Sequence, residues 1–270
     1  MKVAGIQMDI AWEDPEKNFQ RVEAEVARLM GEAGSQAGGG PELIVLPEMF
    51  ATGFSMDAER MAAFAEDTRA FLANLASSFS LHVLAGYAEP AEPLPANACS
   101  VVSPAGEEIL HYRKIHPFSL AKEDENYLAG DAVSTVKVEN VRITPFICYD
   151  LRFPEPFRPP APNTDLYCVI ANWPDMRRSA WSALLRARAI ENQAFVLGVN
   201  RVGMGSGKPH SGDSALLDPM GETLAELEPY QEGVVLGSVD PREVEKVRRQ
   251  LGFLNDRRPD LYCRLEGVRD

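Results

Sequence analysis

The chain predicts an α/β protein of four layers, helix, sheet, sheet, helix, and three observations carry that prediction. Hydrophobic periodicity switches between strand and helix along most of its length. The switching occurs twice, and each round closes on a hairpin with a Pro and Gly turn. A length of 270 residues with 45% hydrophobic content supplies a sizeable core. Two sheets, each covered by helices on one side, then bury their strands face to face.

The elements follow in order. Residues 2–9 alternate as a first strand. Asp14, Pro15 and Glu16 read as an N-cap, a proline at the first helical position and an early acidic charge. Phe19, Val22, Val26, Leu29 and Met30 then fall on one helical face. The glycine-rich stretch 34–40 ends that helix, and the apolar run 43–46 is a buried strand. An amphipathic stretch of about residues 57–79 predicts one helix, and 83–87 the next strand. Residues 97–102 and 107–112 flank Ser103-Pro104-Ala105-Gly106, where proline presets the second turn position and glycine closes the turn. The same grammar returns as strand 165–171, a helix of about 177–192, strand 194–200, and a hairpin around Asp218-Pro219-Met220-Gly221. Residues 135–148 join the two similar halves without a shift in composition, so a single domain over 1–270 is expected, with the segment from about 246 an extension or dimer contact. Prolines 154, 156, 159, 160 and 162 predict a rigid surface loop, because proline fixes φ and lacks an N–H donor.

Charge excludes some functions. The 27 Lys and Arg against 40 Asp and Glu leave a net −13. Nucleic acid is a poor partner for such a chain, since that affinity rests on basic side chains displacing condensed cations. No apolar run approaches the roughly 18 residues needed to cross a bilayer. Met1 and Lys2 lead into residues 3–6 without a longer apolar region or cleavage site, so a soluble, uncleaved cytoplasmic protein is expected. Cys99, Cys148, Cys168 and Cys263 are too few for a disulfide scaffold and form no CxxC pair.

Three strand ends carry reactive groups. Glu48 follows the run 44–46, Lys114 follows the first hairpin, and Cys148 ends the run 146–147. Each alone has a bland reading: a cap or loop carboxylate, a solvated amine, a cysteine packed as a small hydrophobe. Together they form a set, because a thiol nucleophile needs a proton acceptor and its tetrahedral adduct needs a positive or hydrogen-bonding partner.

Leu46-Pro47-Glu48, Tyr112-Arg113-Lys114-Ile115-His116 and Cys148-Tyr149-Asp150-Leu151-Arg152-Phe153-Pro154-Glu155 resemble, in order and spacing, the nitrilase superfamily of carbon-nitrogen hydrolases. Ala171-Asn172-Trp173-Pro174, the helical segment 185–192, Asn200-Arg201-Val202-Gly203 and Gly212-Asp213-Ser214 extend the resemblance over residues 3–245 or so. The run 46–54 and Asn200-Arg201-Val202-Gly203 are most similar to the omega-amidase branch. The resemblance implies a nitrilase-type α-β-β-α sandwich and a Glu48, Lys114, Cys148 triad. Cys148 would attack a carboxamide carbon, Glu48 would accept its proton, and Lys114 with the Tyr149 N–H would hold the oxyanion. It further implies a second glutamate, assigned to Glu123 with Glu125 as rival. It implies no metal or organic cofactor, a small-molecule amide such as 2-oxoglutaramate or 2-oxosuccinamate as substrate, and a homodimer.

A substrate carboxylate calls for a cationic partner. Arg152 is a candidate, against the alternative of an ion pair with Glu155. Asn172, Trp173 and Phe118 are candidate pocket residues, against simple packing. Asp9, Arg188 and Glu191 read as architecture. Nitrile hydrolysis and N-carbamoyl amide hydrolysis use the same three groups and stay open, as does, more remotely, a catalytically silent scaffold. A papain-like site lacks its local signature, the four histidines show no metal-ligand spacing, and residues 203–207 lack the GxGxxG order of a nucleotide cradle and read as a mobile loop at the pocket edge.

Overall fold

The computed structural model describes residues 1–33 and 39–265. Its strands are β1 (Lys2–Gln7), β2 (Leu43–Val45), β3 (His82–Glu89), β4 (Ala96–Val102), β5 (Glu108–Arg113), β6 (Val136–Val138), β7 (Val141–Ile147), β8 (Leu166–Ala171), β9 (Phe195–Asn200), β10 (Val202–Gly205), β11 (Lys208–Ser211), β12 (Ala215–Leu217), β13 (Thr223–Glu226) and β14 (Gly233–Ser238). The helices are α1 (Pro15–Ala33), α2 (Ala58–Ala62), α3 (Ala65–Phe79), α4 (Glu123–Asn126), α5 (Arg178–Asn192), α6 (Pro241–Leu251) and α7 (Pro259–Leu265). Of the glycine-rich stretch 34–40 expected to end α1, residues 34–38 lie outside the described residues.

Two six-stranded sheets stand in the orders β14-β1-β2-β3-β4-β5 and β13-β12-β9-β8-β7-β6. In each, three neighbouring strands run parallel, β1-β2-β3 and β7-β8-β9, and a hairpin continues the sheet antiparallel, β4-β5 and β12-β13. The two halves read from the sequence are thus the two sheets, and the four-layer sandwich is the fold. One exchange was not legible: β14, late in the chain, closes the first sheet against β1, with Lys2 opposite Ser238 and Gln7 opposite Gly233.

Burial shows why the parallel strands appear as continuous apolar runs, since both of their faces are covered. On β1, Ala4 and Ile6 pack with Val22, Val26 and Leu29 of α1, while Val3 belongs to the layer between the sheets. On the outer side of the second sheet, Trp181 and Leu185 of α5 are buried against that same core. Asp14 accepts the Lys17 N–H at 3.2 Å as the cap expected for α1.

Three expectations change. The helix expected over 57–79 is two helices, broken at Ala63 and Phe64. Its apolar spacing is continuous, so the pattern carries no mark of the break. The cause is packing: α2 buries Ala58, Met61 and Ala62 against Met49, Ala88 and Tyr127, whereas α3 buries Leu72, Leu75 and Ala76 on the first sheet. The proline-rich segment is rigid, with short 3₁₀ turns at Glu155–Phe157 and Ala161–Asn163, but it is not wholly at the surface: Phe157 is buried with its ring 3.9 Å from that of Phe146. The 203–207 stretch is no irregular loop; Val202 to Gly205 pairs with Lys208 to Ser211 as the hairpin β10-β11. Among the described residues no helix is long and apolar enough to cross a membrane.

Candidate active site

Glu48 leaves β2 on a loop that continues the strand's pairing, through Leu46 N–H to Leu84 O at 2.8 Å and Phe50 N–H to Gly86 O at 3.2 Å. The loop crosses β3 at Gly86, where a Cβ would stand 2.9 Å from Glu48 Cα and 3.0 Å from Met49 N. Only a residue without a side chain admits that approach. Lys114 follows β5, its N–H bonded to Asn97 O at 2.8 Å and its carbonyl to Gly130 N–H at 2.7 Å. Cys148 ends β7 with φ of +47°, a left-handed conformation that turns the chain sharply into a 3₁₀ segment, Cys148–Arg152.

Glu48 and Lys114 meet Glu123, Asn97 and Asn172. Lys114 Nζ donates to Glu48 Oε1 at 2.9 Å and to Glu123 Oε2 at 2.8 Å, and all three side chains are buried. Asn97 Nδ2, on β4, donates to Glu48 Oε1 at 2.7 Å and Glu123 Oε1 at 2.8 Å. Glu48 Oε2 accepts the Asn172 N–H at 2.8 Å, and the Asn172 side chain donates to Glu48 O at 2.5 Å. Glu123 Oε2 also accepts the Phe118 N–H at 2.5 Å. Glu125, the rival, is exposed and sits 3.4 Å from Lys122. Glu123 is therefore the second glutamate of the cluster.

The electrostatics follow from burial and sign. Burial alone would lower Lys114, but the Glu123 and Glu48 carboxylates outweigh it and hold the ammonium well above its ordinary range. Burial raises Glu123, opposed by Lys114 and reinforced by Glu48. The Cys148 thiol is pushed well above its usual value, first by burial and then by Glu48, with Lys114 pulling the other way. The thiol thus lies within the fields of the Glu48 carboxylate and the Lys114 ammonium, which act on it in opposite directions.

Asp150 ties the lysine and cysteine segments together. Its Oδ2 accepts from Tyr112 Oη at 2.7 Å and Ile147 N at 3.0 Å, and its Oδ1 accepts from His116 N at 3.0 Å with His116 Nδ1 2.8 Å away. The His116 ring stacks on Phe153 at 3.9 Å. Arg188, bonded to Glu191 at 2.9 Å and Leu151 O at 2.6 Å, supports the same turn from α5, and Asp9 pairs with buried Arg201 at 2.8 Å.

Cys148 opens onto a cavity of about 220 Å³, whereas Glu48, Lys114 and Glu123 are buried beneath it. Tyr149, Phe118, Arg152, Asn172 and Trp173 all line that cavity. Arg152 does not pair with Glu155; its guanidinium lies 4.8 Å over the Trp173 ring. Arg177 stands 5.0 Å over Phe118, and Lys208 with His210 on β11 forms another wall. No carboxylate lines the cavity among the described residues. Burial and then Arg201 lower His210 to about 4, so it is neutral near pH 7.

Sequence reasoning missed Asn97, Asp150, Arg177, Lys208 and His210. Asn97 did leave a trace, as a polar residue between Ala96 and Ala98 in a strand that is buried throughout. Arg177 and Lys208 left none, for their importance lies in facing the same space from distant segments.

Residues 2–249 match the family described as carbon-nitrogen hydrolase. The chain is 35% identical over 232 residues to omega-amidase YafV of Escherichia coli strain K12, covering 86% of each chain. It is 31% identical over 266 residues to the 2-oxoglutaramate amidase of Bacillus subtilis strain 168, covering 96% of this chain and 98% of that one. Among solved structures, the CN-hydrolase superfamily protein XC1258 of Xanthomonas campestris, which holds an arsenic adduct in its active site, is similar at a TM-score of 0.87 and 31% identity, covering 96% of this chain and 97% of that one.

Proposed function

The chain belongs to the carbon-nitrogen hydrolase family and is an amidase-type hydrolase of non-peptide C–N bonds, and from that premise we propose that it hydrolyses a small linear amide bearing a free carboxylate, such as 2-oxoglutaramate or 2-oxosuccinamate. The observation that carries this reading is the cavity around Cys148: in a chain of net charge −13, Arg152, Arg177 and Lys208 line it and no carboxylate does. Its volume of about 220 Å³ lies below the roughly 300–1,000 Å³ of drug-sized pockets, which suits a compact substrate. The names of the omega-amidase relatives support the same class.

In the proposed mechanism the Cys148 sulfur attacks the amide carbon as its proton passes to Glu48. Lys114 and the Tyr149 N–H, in the first turn after the sharp bend, receive the developing oxyanion; one such donor is typically worth about 10²–10³ in rate. Glu48 returns the proton to the nitrogen, ammonia departs, and a thioester remains on Cys148. Water then gives a proton to Glu48 and attacks that thioester, the C–S bond breaks to free the acid, and Glu48 passes the proton to the departing sulfur to restore the thiol. Glu123 orients Lys114 through two contacts, at 2.8 and 3.1 Å.

Ammonia release from 2-oxoglutaramate, 2-oxosuccinamate, an N-carbamoyl amino acid and an aliphatic nitrile tests the substrate class. Turnover of the oxo-amides, abolished in Cys148→Ala, is expected. Failure on both oxo-amides with turnover of another compound removes the omega-amidase reading, and full activity of Cys148→Ala removes the mechanism. A homodimer in the cytoplasm is the expected state, and sedimentation velocity checks the oligomer.

A further inference from the structure

We propose that Asn97 is a positioning residue of this site, whose amide clamps Glu48 and Glu123 so that Glu48 offers Oε2, rather than Oε1, to the Cys148 thiol. The proposal rests on the reading of Cys148 and Glu48 given above. Asn97 is buried in β4, and its Nδ2 lies 2.7 Å from Glu48 Oε1 and 2.8 Å from Glu123 Oε1. Lys114 Nζ donates to the same Glu48 oxygen at 2.9 Å. Two donors therefore occupy Oε1, which uses up its in-plane lone pairs. Oε2 takes the Asn172 N–H and keeps one lone pair for a proton.

The amide orientation is dictated by its neighbours, since an ionised carboxylate accepts hydrogen bonds and cannot donate them. Turning the amide over would set its oxygen against two acids. In the observed orientation Asn97 Oδ1 is buried without a hydrogen-bond partner, a cost that the fold carries in exchange for two charge-assisted contacts on the other side. The main chain contributes as well, for Asn97 O accepts the Lys114 N–H at 2.8 Å. A single strand residue thus sets the spacing of both acids and the amine. Without its N–H groups, the like charges of Glu48 and Glu123 would face each other with Lys114 alone between them.

The ionisable groups around the clamp are Lys114 beyond β5, Cys148 beyond β7, Tyr127 beyond α4, and His210 on β11 with Arg201 beside it; Asp57 acts on Tyr127 from before α2. Glu48 acts on Lys114, Cys148, Tyr127 and His210 alike, and of these Lys114 donates a hydrogen bond to it. The test compares full-length Asn97→Ala, Asn97→Ser and Asn97→Asp with the wild type. The readouts are kcat and KM on the best amide, and the pH dependence of Cys148 alkylation by iodoacetamide. Mass spectrometry of the Cys148 peptide separates that signal from exposed Cys263.

Asn97→Ala is expected to lower kcat by about 10–100-fold with KM within about threefold, and to move the acid limb of alkylation upward by about one pH unit. Asn97→Ser, which keeps one donor, falls between, and Asn97→Asp loses most. Folded variants with an unmoved acid limb and wild-type kcat overturn the proposal, as do variants that only melt earlier. Should the alanine variant not fold, the serine variant decides by the same criteria. The underlying reading fails separately, if Cys148→Ala leaves hydrolysis intact.

Discussion

Replacing Arg152 by methionine probes whether the cavity cations recognise a carboxylate. Methionine keeps an apolar stem against Trp173, over which the guanidinium now lies at 4.8 Å. No ion pair is broken, because Arg152 makes none among the described residues, so the stability cost is that of a partly exposed cation–π contact, about 0.5–1 kcal/mol. The effect on substrate is larger. A hydrogen bond to a charged partner contributes roughly 1.5–3 kcal/mol, equivalent to about 10–150-fold in kcat/KM. Arg177 and Lys208 line the same cavity and preserve part of the positive potential, which places the expectation near the lower end. Ammonia release from 2-oxoglutaramate and from pentanamide, a neutral amide of similar length, is the assay. The acid amide should lose about tenfold or more, mostly in KM, while the neutral amide changes by less than about twofold. Equal losses on the two amides, or no loss on the acid, would refute the carboxylate argument.

Two further perturbations address the scaffold. Gly86→Ala sets a methyl group 2.9 Å from Glu48 Cα and 3.0 Å from Met49 N, both backbone atoms that cannot rotate away. Urea unfolding should show a loss of about 1–3 kcal/mol, and kcat should fall by more than about tenfold because Glu48 shifts; a variant with normal kcat would show that the close approach is dispensable. His210 is held at about 4, below its ordinary 6.5, first by burial. A depressed folded-state value means that its contribution is whole above pH 6.5 and is lost as pH falls toward 4, by at most about 3 kcal/mol. Unfolding free energies at pH 7 and pH 4.5 should therefore differ more in the wild type than in His210→Gln. Identical differences in the two proteins would place His210 in contact with water.

Much of this protein was legible because two kinds of signal are local. Strand runs such as 43–46 and 165–171, the Asp14 cap and the paired Pro and Gly turns depend on neighbours within a few residues. Glu48, Lys114 and Cys148 were singled out as candidates by their place at strand ends and by their resemblance to a family. The four-layer fold followed from the repeated strand and helix grammar, and the sheets do stand in that arrangement.

Other features depend on contacts between distant segments. The break between α2 and α3 has no mark in an unbroken apolar pattern, since it arises where α2 meets Met49 and Tyr127. Glu123 and Glu125 are equally acidic in sequence, and only folding buries the first against Lys114 while leaving the second exposed. Asn97 reads as one polar residue in a strand until β4 is set beside the loops carrying both acids. The sequence by itself determined the elements, the layers and the reactive residue types, because covalent neighbours and side-chain periodicity suffice for these. Tertiary structure decided which acids share the lysine, which Glu48 oxygen takes the Asn172 N–H and which cations face the cavity, because those depend on angstrom-scale distances between residues as much as 124 positions apart.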